Sequence, residues 1–464
     1  MITATEFYNF VQCPARVYLN LFGDQSSKLP VSDFLQQQFV KGLQHEQVVV
    51  SKLKFVKPEY KERDFGDGFR KTLALMKSGA DLIYHGVLLS GDLVGEPDLL
   101  EKRKGKSRLG GHYYVVKDVK LGLSLKDEYV AQLMFYSLLL KKVQGVMPGE
   151  AFVVLGDSSE ISFDTGERVG DFKEIFGSLK KVVKGKLVKP SLCSACDNCV
   201  WWNYCHSWCV EHDDLSLIHR MTKRVKQLLV ENGVKTIFQA SRMDVKVLSE
   251  VKGLGLSSLE RIKNQALSLK KKSVIVLEKP EFVNVKTEFF FDIEGETSLG
   301  VDYLFGLLIR ENGKEKYRAF LANTPAEEGR AWKEFLDFFK DKKNFVIYHY
   351  HNYERNSLKR LLDKYSGNNK IYGKITENMV DLFKVLTKSV ILPVESYSVK
   401  DVAKFLGFRW SSVKAGGAQS MVWYGEFMKD PLGNLSKLDL ILQYNEDDCR
   451  ATLVVKDFLW GLKK

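Results

Sequence analysis

Two sets of acidic residues in this 464-residue chain have the spacing that divalent-cation chemistry requires. In Phe289-Phe290-Phe291-Asp292-Ile293-Glu294-Gly295, an apolar run ends in two acids two positions apart, which share one face of a strand. Charge at the end of so apolar a strand needs compensation, and a metal ion supplies it. Downstream acids fall into step: Glu354 in Tyr348-His349-Tyr350-His351-Asn352-Tyr353-Glu354, and Asp448, four residues after Tyr444 in a helical pattern. Asp447 is out of phase with Tyr444 by about 100°. Asp381 reads equally as a further acid of this set or as a helix cap. The other set is Asp98, in Gly95-Glu96-Pro97-Asp98, and Asp118-Val119-Lys120. Carboxylates on adjacent strands hold Mg²⁺ or Mn²⁺ against a phosphodiester, while a lysine orients water or stabilises developing negative charge. Gln132 and Tyr136, four apart on the next helical pattern, share a face that looks back at the strand ends. Taken singly, D-x-E and D-x-K are common on solvated surfaces; their joint order along the chain is what distinguishes them here.

Five of the seven cysteines fall between Cys193 and Cys209, and Cys196-x2-Cys199-x5-Cys205 is metal-ligand spacing with Cys193 and Cys209 as neighbours. Zinc accepts four thiolates from this segment alone; a 4Fe-4S cluster takes four cysteines and could recruit Cys13. Spacing does not choose between them. Cys449, isolated in the last helical pattern, reads as an ordinary buried thiol.

These residues need elements to position them. Thr3-x-x-Glu6 predicts a capping box and an opening helix carrying Cys13, kinked by Pro14. A helix is predicted from Phe34 to Leu53, containing His45 and Glu46. Strands are predicted at Leu82 to Leu89, Leu93 to Leu100 and Tyr113 to Val119, then a helix from Glu128 to Val143. From Asp214 to Lys272 the pattern is helical, with turns at Asn232-Gly233 and Gly253-Leu254-Gly255. These last glycines would let backbone N–H groups approach a phosphate, although a plain loop between packed helices fits equally well. Strands at Glu288 to Glu294, Tyr303 to Arg310, Glu315 to Leu321 and Phe345 to Tyr350, with helices after them to Trp460, predict a sheet flanked by helices.

Seventy Lys and Arg against 58 Asp and Glu leave a net charge of +12, a balance that favours a polyanionic partner. The longest apolar stretches fall well short of the roughly 20 residues of a membrane span. The first residues carry neither a basic segment nor an apolar core, so a cytoplasmic location without structural disulfides is expected.

Asp98, Asp118-x-Lys120 and Gln132-x3-Tyr136 resemble the PD-(D/E)xK nucleases of the RecB type. That resemblance implies a restriction-endonuclease-like α/β fold and maps a metal-binding histidine onto His45, with Glu46 as the competing candidate. It also implies a 4Fe-4S cluster held by Cys13, Cys196, Cys199 and Cys205, since Phe10-x-x-Cys13-Pro14 sits where the first cysteine of such nucleases belongs. Asp292, Glu294, Glu354, Tyr444 and Asp448 resemble the DEDDy branch of RNase H-fold 3′–5′ exonucleases, where four carboxylates hold two divalent ions and a tyrosine orients water. Two departures stand out: His349 takes the place of the usual asparagine, and Glu354 that of the usual aspartate. The whole order resembles RecB-like nucleases fused to a C-terminal exonuclease. It implies a multidomain α/β protein: a nuclease domain at 1–212, a helix-hairpin-helix-like domain at 213–275 and an RNase H-like domain at 283–464. The function expected is a DNA nuclease with two metal-dependent sites, acting in repair or end processing. The alternatives are an RNA 3′-trimming exonuclease that uses the first domain for grip, and a non-catalytic nucleic-acid scaffold.

Overall fold

The computed structural model describes every residue except 297–298, 413–415 and 464. The chain divides into two compact units, Met1–Trp208 and Cys209–Lys464.

In the first unit, Thr3 and Glu6 form the expected capping box at the start of helix Ala4–Gln12. Pro14 does more than kink this helix. The backbone becomes extended at Cys13 and restarts as a second helix, Pro14–Phe22, with proline at its first position, where the missing N–H has no intrahelical partner to lose. Cys13 therefore sits at a joint between two helices. Beyond them a five-stranded sheet runs in the order Leu82–Tyr84, Leu99–Ser107, Gly110–Val119, Glu150–Val154, Glu160–Asp164. Gly110–Val119 and Glu150–Val154 are parallel, joined across helix Asp127–Gln144, and the other neighbours are antiparallel. The predicted strand Leu82 to Leu89 breaks at His85, whose φ is 51°, and Leu93 to Leu100 breaks at Pro97, which has no N–H to give a ladder. The detached pieces, Leu88–Ser90 and Leu93–Gly95, join Ile2–Thr3 in a small second sheet. Helix Asp127–Gln144 is fixed by its apolar faces: Leu133, Phe135, Leu139 and Leu140 are fully buried, each contributing roughly 1.5–3 kcal/mol. Phe135 stacks on Phe7 of the opening helix at 4.7 Å.

In the second unit the sheet order is Lys314–Leu321, Val301–Glu311, Thr287–Glu296, Phe345–His349, Met379–Asp381. The first three strands are antiparallel and the last two run parallel to Thr287–Glu296. That central strand is apolar along most of its length because both its faces are covered. Phe289, Phe291 and Ile293 pack with Phe335 and Leu358 on one side, and Phe290 packs with Leu308, Leu382 and Val455 on the other. The helical segment at 213–275 falls within this unit and is bonded to later residues. Gln265 Nε2 of helix Leu256–Lys271 donates to the Leu392 and Val394 carbonyls at 2.7 and 3.0 Å, and Ile275–Val276 pairs with Val390–Ile391. Gly253, at φ 101°, occupies the left-handed conformation that the predicted glycine turn requires.

Candidate metal centres

Asp292 and Glu294 lie at the end of the central strand of the second unit, beside a bulge between Glu294 and Gly295. Asp448 projects at them from the long last helix, Leu435–Lys463. Asp292, Glu294 and Asp448 each offer a carboxylate oxygen within 4.8 Å of the others. Burial raises Asp292 and Glu294 well above the ordinary carboxylate range, and the Asp448 charge adds to both shifts. Burial also lifts Asp448 from 3.8 to about 6, against hydrogen bonds from Tyr444 and Trp410. Three acids this close and this dry are poorly compensated unless a cation joins them.

The surrounding residues hold the oxygens in place. Asn445 Nδ2 donates to Asp292 Oδ2 at 2.7 Å, and Trp410 Nε1 donates to Asp448 Oδ1 at 2.7 Å. Tyr444 is buried, and its hydroxyl is kept protonated by burial and by the Asp448 charge. Lys400 Nζ lies 4.9 Å from the Tyr444 ring and draws the carboxyl pKa values back down, while burial lowers its own. Asp447 turns away, accepting from the Ser411 N–H at 2.8 Å, as its helical phase predicts. Glu354 is buried at the start of helix Tyr353–Tyr365; its Oε2 lies 3.5 Å from His349 Nδ1, so its contribution at Asp292 is a Coulombic one from the margin of the cluster. Asp381 caps helix Leu382–Ser389 by accepting from the Phe383 N–H at 3.0 Å, and it also takes the His351 N–H.

In the first unit, Asp98 stands between two strands and Asp118 near the end of Gly110–Val119. They are laced together: Asp98 N–H donates to Asp118 Oδ1 at 3.1 Å, and Val119 N–H donates to Asp98 Oδ2 at 2.7 Å. Lys120 Nζ lies 2.8 Å from Asp118 Oδ2, on the same side of the strand. Burial raises Asp98 well above the usual carboxylate range, with the Asp118 charge second, while neighbouring carboxylates hold Lys120 protonated against its own burial. Burial, with the Asp118 and Asp98 charges next, holds the Tyr136 hydroxyl protonated. Gln132 donates to the Tyr136 hydroxyl, which donates to the Glu96 carbonyl at 3.2 Å, clamping the chain just before Asp98. The His45 Nε2 lies 3.0 Å from the Leu155 carbonyl. Glu46, next along the helix, groups with His85 and Asp98.

Among the cysteines, Cys193 Sγ lies 3.9 Å from Cys196 Sγ, and the Cys13 thiol is pushed up chiefly by its contact with Cys193. Cys196 also senses the Cys13 thiol. Cys205 packs with Leu19 and Trp201, with Cys199 at the edge of that cluster. Cys13, Cys193 and Cys196 thus meet, two of them among the four expected ligands. Cys449 is buried and donates to the Gly306 carbonyl.

Sequence reasoning missed Asn445, Lys400, Trp410 and His85 as site residues. Asn445 lies one position from Tyr444 and carried a signal only in retrospect, through Gly306: a Cβ there would fall 1.6 Å from Asn445 Oδ1.

Residues 289–460 match the RNase H superfamily, so the second unit contains an RNase H-like domain whose central strand and last helix carry the three-acid cluster. Such a domain points to nucleic-acid processing with divalent metals. No curated protein matches the chain. No helix among the described residues is long and apolar enough to cross a membrane.

Proposed function

We propose that the chain is a divalent-metal-dependent nuclease, acting on DNA in repair or end processing, whose second unit removes nucleotides from 3′ ends and whose first unit holds a second cleavage site. The single observation that carries this reading is the convergence of Asp292, Glu294 and Asp448 to within 4.8 Å inside an RNase H-like domain. In this reading Asp292, Glu294 and Asp448 hold Mg²⁺ or Mn²⁺, with Glu354 at the edge. Bound divalent ions supply activation of water and stabilisation of the leaving 3′ oxygen. Asn445 and Trp410 fix the carboxylate orientation, and Tyr444, protonated, hydrogen-bonds and orients the attacking water. Lys400 offsets part of the negative charge of the cluster.

In the first unit, Asp98 and Asp118 form the cation-binding edge and Lys120 stabilises charge on the phosphate. A thiolate-bound metal, zinc or 4Fe-4S, is proposed for the cysteine cluster. The donors fit as far as Cys13, Cys193 and Cys196 meet, with Cys199 and Cys205 as sources of the fourth thiolate. Bound there, it would clasp residue 13 to the segment at 193–196. Iron and zinc content with the visible spectrum of anaerobically purified protein distinguishes the two metals.

End-labelled deoxyribo- and ribo-oligonucleotides of one sequence test the proposal as a whole. Asp292→Ala is expected to remove stepwise 3′ shortening and Asp118→Ala a separate cleavage activity. Digestion patterns unchanged by both variants contradict the reading, and a marked preference for the ribo-oligonucleotide would transfer it to RNA trimming.

A further inference from the structure

Beside Asp98 the fold assembles a donor set that no linear motif announces. Glu46 comes from helix Asp33–Val50, His85 from the turn after strand Leu82–Tyr84, and Asp98 from the turn before strand Leu99–Ser107. Each offers a ligand atom within 4.8 Å of the other two. The set is held from several sides. His85 Nε2 lies 2.7 Å from Glu46 Oε1, the Tyr84 hydroxyl donates to the same oxygen at 2.9 Å, and the His85 N–H donates to the Asp98 carbonyl at 2.9 Å. The His85 ring stacks on Tyr84 at 3.9 Å. Asp118, by contrast, has one oxygen on the Asp98 N–H and the other on Lys120.

We propose that Glu46 and His85 join Asp98 in holding the first site's cation, beside Asp118 and the Lys120 it anchors, and that the imidazole selects Mn²⁺-class ions over Mg²⁺. The inference rests on the reading of the first unit as a metal-dependent cleavage site and names its ligands. Mg²⁺ favours all-oxygen surroundings and gives up its waters reluctantly, whereas Mn²⁺, a first-row transition ion, accepts a nitrogen donor among its oxygens; a mixed nitrogen and carboxylate set therefore discriminates between them. The ion has a way in. A cleft of about 640 Å³ opens on His85 and is lined also by Lys57, Tyr60, Arg63 and Glu96. Lys57 and Arg63 are exposed there, two cations placed to meet the phosphates of a strand lying along the cleft.

The test uses the full-length protein carrying Asp292→Asn and Asp448→Asn, so that the second unit's acids do not contribute. Mn²⁺ is titrated in and followed by electron paramagnetic resonance, with spin-echo modulation reporting coupling to ¹⁴N; circular dichroism checks that each variant is folded. The expected result is one bound Mn²⁺ with ¹⁴N coupling and weaker binding of Mg²⁺. His85→Gln should erase the coupling and weaken binding by about tenfold or more, while His45→Gln leaves both unchanged. Glu46→Gln, which keeps shape and removes charge, should weaken binding similarly with the ¹⁴N coupling retained. If Asp98→Asn abolishes Mn²⁺ binding but His85→Gln alters neither affinity nor coupling, the inference falls and the first-site reading stands. If no Mn²⁺ binds with Asp98 intact, both fall.

Discussion

Asn445 Nδ2 donates to Asp292 Oδ2 at 2.7 Å, and Asn445 Oδ1 accepts the Tyr317 hydroxyl at 2.7 Å. A chain of two hydrogen bonds thus fixes one carboxylate of the three-acid cluster, and it passes over Gly306, where a Cβ would fall 1.6 Å from Asn445 Oδ1. Asn445→Ala is expected to lower cleavage by about 10- to 100-fold with little change in substrate KM, because orientation rather than binding is lost. Gly306→Ala should reproduce this loss, since its Cβ would displace Asn445. Steady-state kinetics on a labelled oligonucleotide check both; a Gly306→Ala enzyme with full activity would break the link.

The carboxylates set a pH dependence with a definite sign. Asp448 titrates near 6 in the folded protein against 3.8 ordinarily, and Asp292 and Glu294 shift in the same direction. Each has a raised folded pKa, so each favours the fold while protonated. That contribution is complete below the unfolded value and is lost as pH rises through the folded one. Metal-free protein should therefore lose thermal stability as pH rises from about 4, through about 6 for Asp448 and further up for Asp292 and Glu294, whereas Mn²⁺ should raise Tm more at pH 7.5 than at pH 5. Asp292→Asn should flatten both trends in thermal unfolding with and without chelator.

Lys120 and Asp118 form a buried pair at 2.8 Å, with Asp118 side chain 2% and Lys120 18% exposed. Lys120→Met strands a buried carboxylate and should cost about 3–5 kcal/mol in chemical denaturation, while Asp118→Asn with Lys120→Met should cost markedly less. Equal losses in the single and double variants would mean that the pair does not hold this corner together.

Asp381 separates a structural acid from a catalytic one. It accepts from the N–H groups of Phe383 and Lys384 at the start of helix Leu382–Ser389. Asp381→Ala should cost about 1 kcal/mol of stability through the lost cap, with cleavage by the folded protein unchanged. A loss of activity comparable to that of Asp292→Ala would make Asp381 a member of the site.

What was legible from the sequence is what is local. The Asp292-Ile293-Glu294 alternation, the Tyr444 and Asp448 phase, and the pairing of Lys120 with Asp118 each follow from the period of one element. What depends on neighbours across the fold was not legible. His45 and Glu46 differ by one helical step, and only the sheet packed against Asp33–Val50 decides that Glu46 groups with Asp98. His85 lies in a break that reads as part of a continuous apolar strand. Lys400 and Trp410 reach the acids from segments far from either motif. The partners of Gln265 and of the strand Ile275–Val276 lie more than a hundred residues later, beyond the reach of any local pattern. Spacing alone does not show which thiols the joint at Cys13 meets, and Cys193 is one of them.

The most direct test of the central claim is anomalous diffraction from crystals grown with Mn²⁺. Manganese density within ligand distance of Asp292, Glu294 and Asp448 together, absent from the Asp292→Asn protein, is the predicted result. Manganese bound elsewhere in the molecule, with these three carboxylates left without an ion at saturating concentration, would contradict it.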